Sequence, residues 1–294
     1  MRRHEAALLR RKRKHAINMT SLTTQPNVSA TRKADVIQPD SARRSVLMGC
    51  PVDLVTSAAL LNELTHAIDT QSGPKVIQFI NGNKIAQVRH DRDMERIMWK
   101  ADYVLTDGQP LLPMGRLLGV RVPERIDGIG LMGKLLRLAN ERRYGVFLLG
   151  AKQTVLDTCV QKIKASYPNV RIAGSRNGYF SEKETGAIVA QIRASGADIL
   201  FLGMGSPMKE RFAERYASEL GVTVIQGVGG SFDVMADLVK RAPVWMQRAG
   251  LEWLFRVIQE PRRMFWRYTT TNATCLWAFL CAFVGSRDRR VKAP

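Results

Sequence analysis

Val104-Leu105-Thr106-Asp107-Gly108 is an apolar run that stops at an acid followed by glycine. Such a run reads as a buried strand, with the acid where the chain leaves the sheet. Ligands of an open α/β sheet bind outside the carboxyl ends of its strands, so an acid at that place is presented to whatever the sheet binds. Asp107 is therefore the candidate for chemistry. Taken alone, Asp107-Gly108 is equally readable as a simple turn, because both residue types favour turns for backbone reasons. The flanking segments have to decide.

Those segments alternate between strand and helix patterns. Upstream, 46–52 reads as a short strand and turn, and 57–68 carries Leu60, Leu61, Leu64 and Ile68 at helical spacing. The buried-type strand 75–80 ends in Asn81-Gly82-Asn83, and one helix over 84–100 leads into the strand at 103–106. Downstream, strands at 145–150, 170–174, 198–203 and 222–227 are separated by helices at 154–166, 182–195 and 208–220. This order predicts a Rossmann-like, largely parallel sheet with helices on both faces. Gly203 and Gly227 close the last two strands, so the backbone there is expected to approach a ligand closely.

Charge divides the 294-residue chain differently. Residues 1–48 carry 11 Lys/Arg against 3 Asp/Glu, and 241–294 carry 10 against 3, so the ends supply 15 of the net +19. Cationic ends on a body of modest charge suit an anionic surface. Residues 1–44 lack the apolar content to order themselves and are expected to form a disordered basic arm, with no apolar stretch behind Arg10-Arg11-Lys12-Arg13-Lys14 to make a secretory signal. The catalytic α/β domain is expected over 45–240. The appendage 241–294 interleaves Trp245, Trp253, Phe255, Phe265, Trp266, Tyr268 and Trp277 with arginines, a mixture suited to the interfacial zone of a bilayer. Its apolar run at 273–284 is 12 residues, whereas crossing needs about 20, so the reading is a helical appendage lying on the membrane. The same aromatic surface suits an interface between copies of the chain. Cys50, Cys159, Cys275 and Cys281 show no C-x-x-C spacing, so neither a zinc site nor a disulfide framework is indicated and a reducing cytoplasm fits.

Two familiar patterns lack their context. Gly128-Ile129-Gly130-Leu131-Met132-Gly133 matches the dinucleotide fingerprint but follows Pro123-Glu124-Arg125-Ile126-Asp127 instead of an apolar strand. Asp91-Arg92-Asp93 matches a metal-binding D-x-D but falls inside the helical pattern of Ile85, Val88, Met94 and Ile97, which places its acids on a solvated helix face. Neither a Walker-type loop nor a G-x-S-x-G elbow occurs, which removes the simplest nucleotide hydrolase and serine hydrolase readings.

The segments at the strand ends form an ordered set: Asn81-Gly82-Asn83, Thr106-Asp107-Gly108, Pro123-Glu124-Arg125, Asn177-Gly178-Tyr179-Phe180, Gly203-Met204-Gly205-Ser206-Pro207, Gly227-Val228-Gly229-Gly230-Ser231-Phe232-Asp233, Arg241-Ala242-Pro243 and Leu251-Glu252-Trp253. In that order the set resembles the WecG/TagA/CpsF family of bacterial glycosyltransferases, from about residue 46 to 267. The resemblance implies transfer of a sugar from a UDP-sugar to a polyprenyl-diphosphate-linked sugar at the inner face of the cytoplasmic membrane, with inversion and with neither metal nor cofactor. It places Asp107 as catalytic base, Arg125 near the donor phosphates and Asn83 in the active site. Some of Arg256, Arg262, Arg263 and Arg267 would be the family's C-terminal arginines that close over diphosphate. Asn81, Gly108, Gly203, Gly205, Lys209, Gly229, Gly230 and Asp233 are the further candidates for substrate contact. The chain departs from the family at Pro207-Met208-Lys209-Glu210, where Lys209 stands for the usual glutamine, and at Asn81, where some members have threonine. Lys209 would add charge near a phosphate or an acidic sugar, or point to solvent.

Two other classes compete. A nucleic-acid-binding α/β protein would explain the charge, but neither the tail tryptophans nor Asp107. A nucleotide-dependent oxidoreductase rests on the misplaced glycine fingerprint alone. The polysaccharide-assembling transferase is the leading reading, and the long basic arm before Ser45 lies outside the part of the chain that resembles the family.

Overall fold

The computed structural model describes residues 43–291; for 244, 248, 263–265, 267–268 and 285–291 it describes the backbone alone. The expected basic arm thus lies outside the described residues except for Arg43 and Arg44. Both are held to the body. The Arg44 guanidinium grips the buried Asp53 carboxylate at 3.0 and 2.8 Å, and Arg43 pairs with Glu63 at 2.8 Å.

The short strand and turn expected at the start is an antiparallel hairpin, β1 (Arg44–Leu47) and β2 (Cys50–Asp53). It turns at Met48 and Gly49, both at positive φ. Asp53 also accepts a hydrogen bond from the Val104 N–H at 2.6 Å, which fastens the hairpin to the edge of the main sheet. After α1 (Ser57–Asp69) come β3 (Lys75–Ile80), α2 (Gly82–His90), α3 (Arg92–Lys100) and β4 (Tyr103–Thr106). Then follow α4 (Leu111–Leu117), α5 (Gly128–Arg142), β5 (Gly145–Gly150), α6 (Gln153–Ser166) and β6 (Arg171–Arg176). The body closes with α7 (Glu182–Ala194), β7 (Ile199–Gly203), α8 (Met208–Tyr216), β8 (Val224–Gly227) and α9 (Ser231–Met235). Helices α10 (Val244–Arg248), α11 (Glu252–Gln259) and α12 (Pro261–Val291) complete the chain.

The six strands β3 to β8 form one parallel sheet in the order β4-β3-β8-β7-β5-β6, as the alternation predicts. From β3 the chain goes to β4 on one side and lays every later strand on the other, which makes the carboxyl end of β3 the place where the topology switches. Alternate residues of β5 serve opposite layers: Val146 and Leu148 pack with α1, α5 and α6, Phe147 and Leu149 with α7 and α8.

Three local readings change. The single helix over 84–100 is two, because the Asp91 carboxylate leaves the helical face and caps α3, accepting from the N–H groups of Asp93 and Met94 at 2.9 and 3.1 Å. Asp93 pairs with Arg96 and Arg211, so both acids of the D-x-D serve the scaffold. Helix α8 stops at Tyr216 instead of running to 220. The glycine fingerprint opens α5, capped by Asp127 accepting from the Gly130 N–H at 2.7 Å, and the Arg143 C-cap takes the left-handed conformation.

The apolar run of the tail lies within α12 and has two faces. Cys275 and Ala278 are buried against the hairpin, β3 and α2, where Gly82 admits the Cys275 Cβ to 3.5 Å of its own missing Cβ. Leu276, Trp277, Leu280 and Val284 are exposed. One side of the run is thus occupied by protein, and the other carries the exposed aromatic and apolar side chains of the appendage. Among the described residues no helix is long and apolar enough to cross a membrane.

The two faces are separable by mutation. Ala278→Glu buries an uncompensated charge and is expected to cost at least about 3 kcal/mol in denaturant unfolding, whereas Trp277→Glu one residue away should stay within about 0.5 kcal/mol. Equal costs would refute the docking of α12.

Candidate active site

A cavity of about 880 Å³ opens at the carboxyl edge of the sheet, bordered by the ends of β3, β4, β7 and β8 and roofed in part by α11 and α12. Its size falls within the range of small-molecule sites, about 300–1,000 Å³. Asp107 is here because β4 pairs with β3 in a register that sets Thr106 opposite Ile80, and the Asp107 N–H continues the ladder to the Ile80 carbonyl at 3.0 Å. Its carboxylate, 34% exposed, borders the cavity.

Arg125 reaches Asp107 from the loop before α5. That loop is pinned at both sides: Glu124 accepts from the Ser57 N–H at 2.6 Å and its hydroxyl at 2.5 Å, and the Ile126 N–H donates to the Thr106 carbonyl at 3.2 Å. The Arg125 Nε donates to the Asp107 carbonyl at 2.6 Å. Its Nη2 stands 3.6 Å from Asp107 Oδ1 and 3.0 Å from Glu252 Oε2 on α11. Glu252 also faces Arg241 at 3.8 Å, and Arg241 donates to Asp127 at 2.9 Å. Three carboxylates therefore share two guanidinium groups. Burial pushes the Asp107 pKa up to about 6, the Asp127 and Glu252 charges add to the rise, and Arg125 and Arg256 oppose it.

The other expected residues separate into groups. Asn81 caps α2, its Oδ1 accepting from the Lys84 N–H at 3.0 Å, a task that threonine also performs. Asn83, in the first turn of α2, and Gly108 border the cavity, as do Asp233 on α9 and Arg256 on α11. Arg262 is exposed and does not border it; the side chains of Arg263 and Arg267 lie outside the described residues. Gly203 serves packing, because a Cβ there would meet the Phe232 ring at 2.3 Å. Gly205 has nothing within 4 Å of an added Cβ, and Gly229, at φ +52, is equally open. Gly203, Gly205 and Gly229 all border the cavity, and of these Gly205 and Gly229 have open space where a side chain would be.

Lys209 borders the cavity and donates to Glu210 Oε1 at 2.5 Å. The same oxygen accepts from the buried Lys84 Nζ at 2.8 Å. Burial works against the Glu210 carboxylate, yet Lys209 and Lys84 outweigh it and hold its pKa below the usual range. Lys84, Glu210 and Asp127 were not legible as site residues, and Arg241 stood in the ordered set without a role. Lys84 and Glu210 are 126 positions apart, and nothing local marks a lysine on a helix as buried. Glu252 lay in a recognised motif, but without a role.

The family model described as Glycosyl transferase WecG/TagA/CpsF matches residues 45–289. Two relatives carry the name N-acetylglucosaminyldiphosphoundecaprenol N-acetyl-beta-D-mannosaminyltransferase. The protein of Bacillus subtilis (strain 168) is 37% identical over 198 residues, covering 67% of this chain and 76% of the relative. That of Bacillus spizizenii (strain ATCC 23059 / NRRL B-14472 / W23) is 35% identical over 173 residues, 59% of this chain and 66% of the relative.

The division among the glycines is testable without any substrate. Gly203→Ala should lower unfolding stability by roughly 1–3 kcal/mol through overpacking, and Gly205→Ala by under about 0.5 kcal/mol. A Gly205→Ala cost as large as that of Gly203→Ala would show that the loop is packed and not open.

Proposed function

Because the chain belongs to the WecG/TagA/CpsF family of glycosyl transferases, we propose that it moves an N-acetylhexosamine-type sugar from a UDP-sugar to a polyprenyl-diphosphate-linked sugar, with inversion and without a metal. The observation that carries this reading is the Asp107 carboxylate bordering the cavity just after β4, with Arg125 beside it; burial raises its pKa to about 6. A carboxylate so raised is a better proton acceptor than an ordinary one and is still ionised at neutral pH. In the proposed step the acceptor hydroxyl gives its proton to Asp107 while its oxygen attacks the anomeric carbon from the face opposite UDP. The carbon–oxygen bond to UDP breaks, and UDP departs with the electron pair.

The leaving diphosphate then needs stabilisation in place. Arg256 and the open loops at Gly205 and Gly229 border the same cavity, and cations with backbone N–H donors are suited to that charge. Metal independence is supported by how the carboxylates are engaged: Asp107, Asp127 and Glu252 face guanidinium groups, and Glu210 faces two ammonium groups. The relatives' names support a lipid-linked acceptor of the N-acetylglucosaminyldiphosphoundecaprenol kind. Peripheral attachment to the inner membrane face is supported by the exposed Trp245, Trp253, Trp266 and Trp277 beside a cationic tail.

Acceptor-dependent UDP release tests the assignment. Asp107→Asn is expected to lower kcat at least about 100-fold with donor affinity unchanged, and near-normal turnover in this variant would remove Asp107 as base. In the wild type the base must be ionised, so activity should rise with pH through about 6. Glu252→Gln removes an acid that raises the Asp107 pKa and frees Arg125 to approach Asp107, so both effects should move that limb to lower pH.

A further inference from the structure

Two lysines meet one carboxylate in the cavity wall. Lys84 and Glu210 are buried at 6% and 1% side-chain exposure, and Lys209 is 15% exposed where it borders the cavity. An ammonium group has three N–H donors. Those of Lys84 are accounted for by Glu210 Oε1 at 2.8 Å, Ser206 Oγ at 2.8 Å and Gln87 Oε1 at 3.0 Å. Lys209 has Glu210 Oε1 as its hydrogen-bond partner among the described residues, which leaves two donors over. The other partners of Lys84 are neutral, so two formal positive charges stand against a single negative one. An uncompensated charge in a largely desolvated wall is costly unless a counter-charge arrives. The Lys209 stem passes over Gly227, which leaves it room: an added Cβ there would lie 3.1 and 3.2 Å from its Cε and Cδ.

We propose that Lys209 is a binding residue for an anionic group of the donor, a phosphate or a sugar carboxylate, with the Lys84–Glu210 pair beneath it as its fixed support. This rests on the reading of the cavity as a UDP-sugar site. It gives a role to the position where the chain departs from its family: a glutamine amide there is neutral, and Lys209 adds the one charge that the cluster leaves unbalanced. Arg125 is a poorer ligand for the same group, since its guanidinium is already divided between Asp107 and Glu252.

The test is calorimetric titration of wild type, Lys209→Gln and Lys209→Arg with inorganic pyrophosphate, uridine, UDP, a UDP-N-acetylhexosamine and a UDP-hexuronic acid. The Lys84–Glu210 pair remains in both variants. If the anion is the diphosphate, Lys209→Gln weakens pyrophosphate and UDP about tenfold or more, leaves uridine within about twofold, and Lys209→Arg recovers most of the loss. If it is a carboxylate, the loss is confined to the UDP-hexuronic acid. Equal binding of every anion by wild type and Lys209→Gln overturns the proposal. Wild type that binds neither uridine nor UDP refutes the donor reading separately, and pyrophosphate then still decides Lys209: a loss in Lys209→Gln upholds it, and no binding to wild type overturns it too.

Discussion

A guanidinium group can close its fork on one carboxylate or be divided between two, and Arg125 is divided. It donates to the Asp107 carbonyl at the end of β4 and to Glu252 at the start of α11, while its approach to the Asp107 carboxylate stays at 3.6 Å. That division connects the sheet edge, the loop before α5 and the C-terminal helices. A tight bidentate pair would hold Asp107 well down in the acid range, as charge-assisted pairs do. Burial, with the charges of Asp127 and Glu252 adding to it, instead raises the carboxylate to about 6. Since Glu252 and Arg256 on α11 act on this carboxylate in opposite senses, the position of that helix contributes to its proton affinity.

The second cluster is built on the opposite principle. Around Asp107 three carboxylates share two guanidinium groups, Arg125 and Arg241, whereas around Glu210 two ammonium groups share one carboxylate. One wall of the cavity thus favours accepting a proton and the other favours receiving negative charge. A reaction that takes a proton from an incoming hydroxyl and expels a diphosphate requires both, at separate places. Buried charges contribute little to folding stability and cost much when unmatched. The two clusters are better understood as preorganisation for charge that develops in the reaction than as supports of the fold.

How much of this was legible in the sequence follows from which interactions are local. The sheet was legible because strand and helix periodicities are written in neighbouring residues, as in Lys75–Ile80 and Gly145–Gly150. Asp107 was legible because a strand end is also local. The break at Asp91 was not, since Ile85, Val88, Met94 and Ile97 keep a helical rhythm across it, and the cap that breaks the helix depends on one carboxylate turning to two N–H groups. Helix α5 was obscured by its glycines, although Leu131, Leu135, Leu136 and Ala139 carry the spacing of a buried face. Pairs such as Lys84 with Glu210 and Arg125 with Glu252 span more than a hundred positions, and no pattern along the chain encodes them.

The C-terminal helices show what such pairing adds. Helix α12 gives Cys275 and Ala278 to the core beside α2 and turns Leu276, Trp277, Leu280 and Val284 outward, so its orientation is fixed by the protein before any surface is met. Helix α11, which precedes it, carries Glu252, Trp253 and Arg256 to the cavity and leaves Ile258 exposed. A displacement of α11 would therefore move Glu252 relative to Arg125. The Asp107 pKa responds to both side chains, so the seat of α11 on the body bears on the proton affinity of that carboxylate.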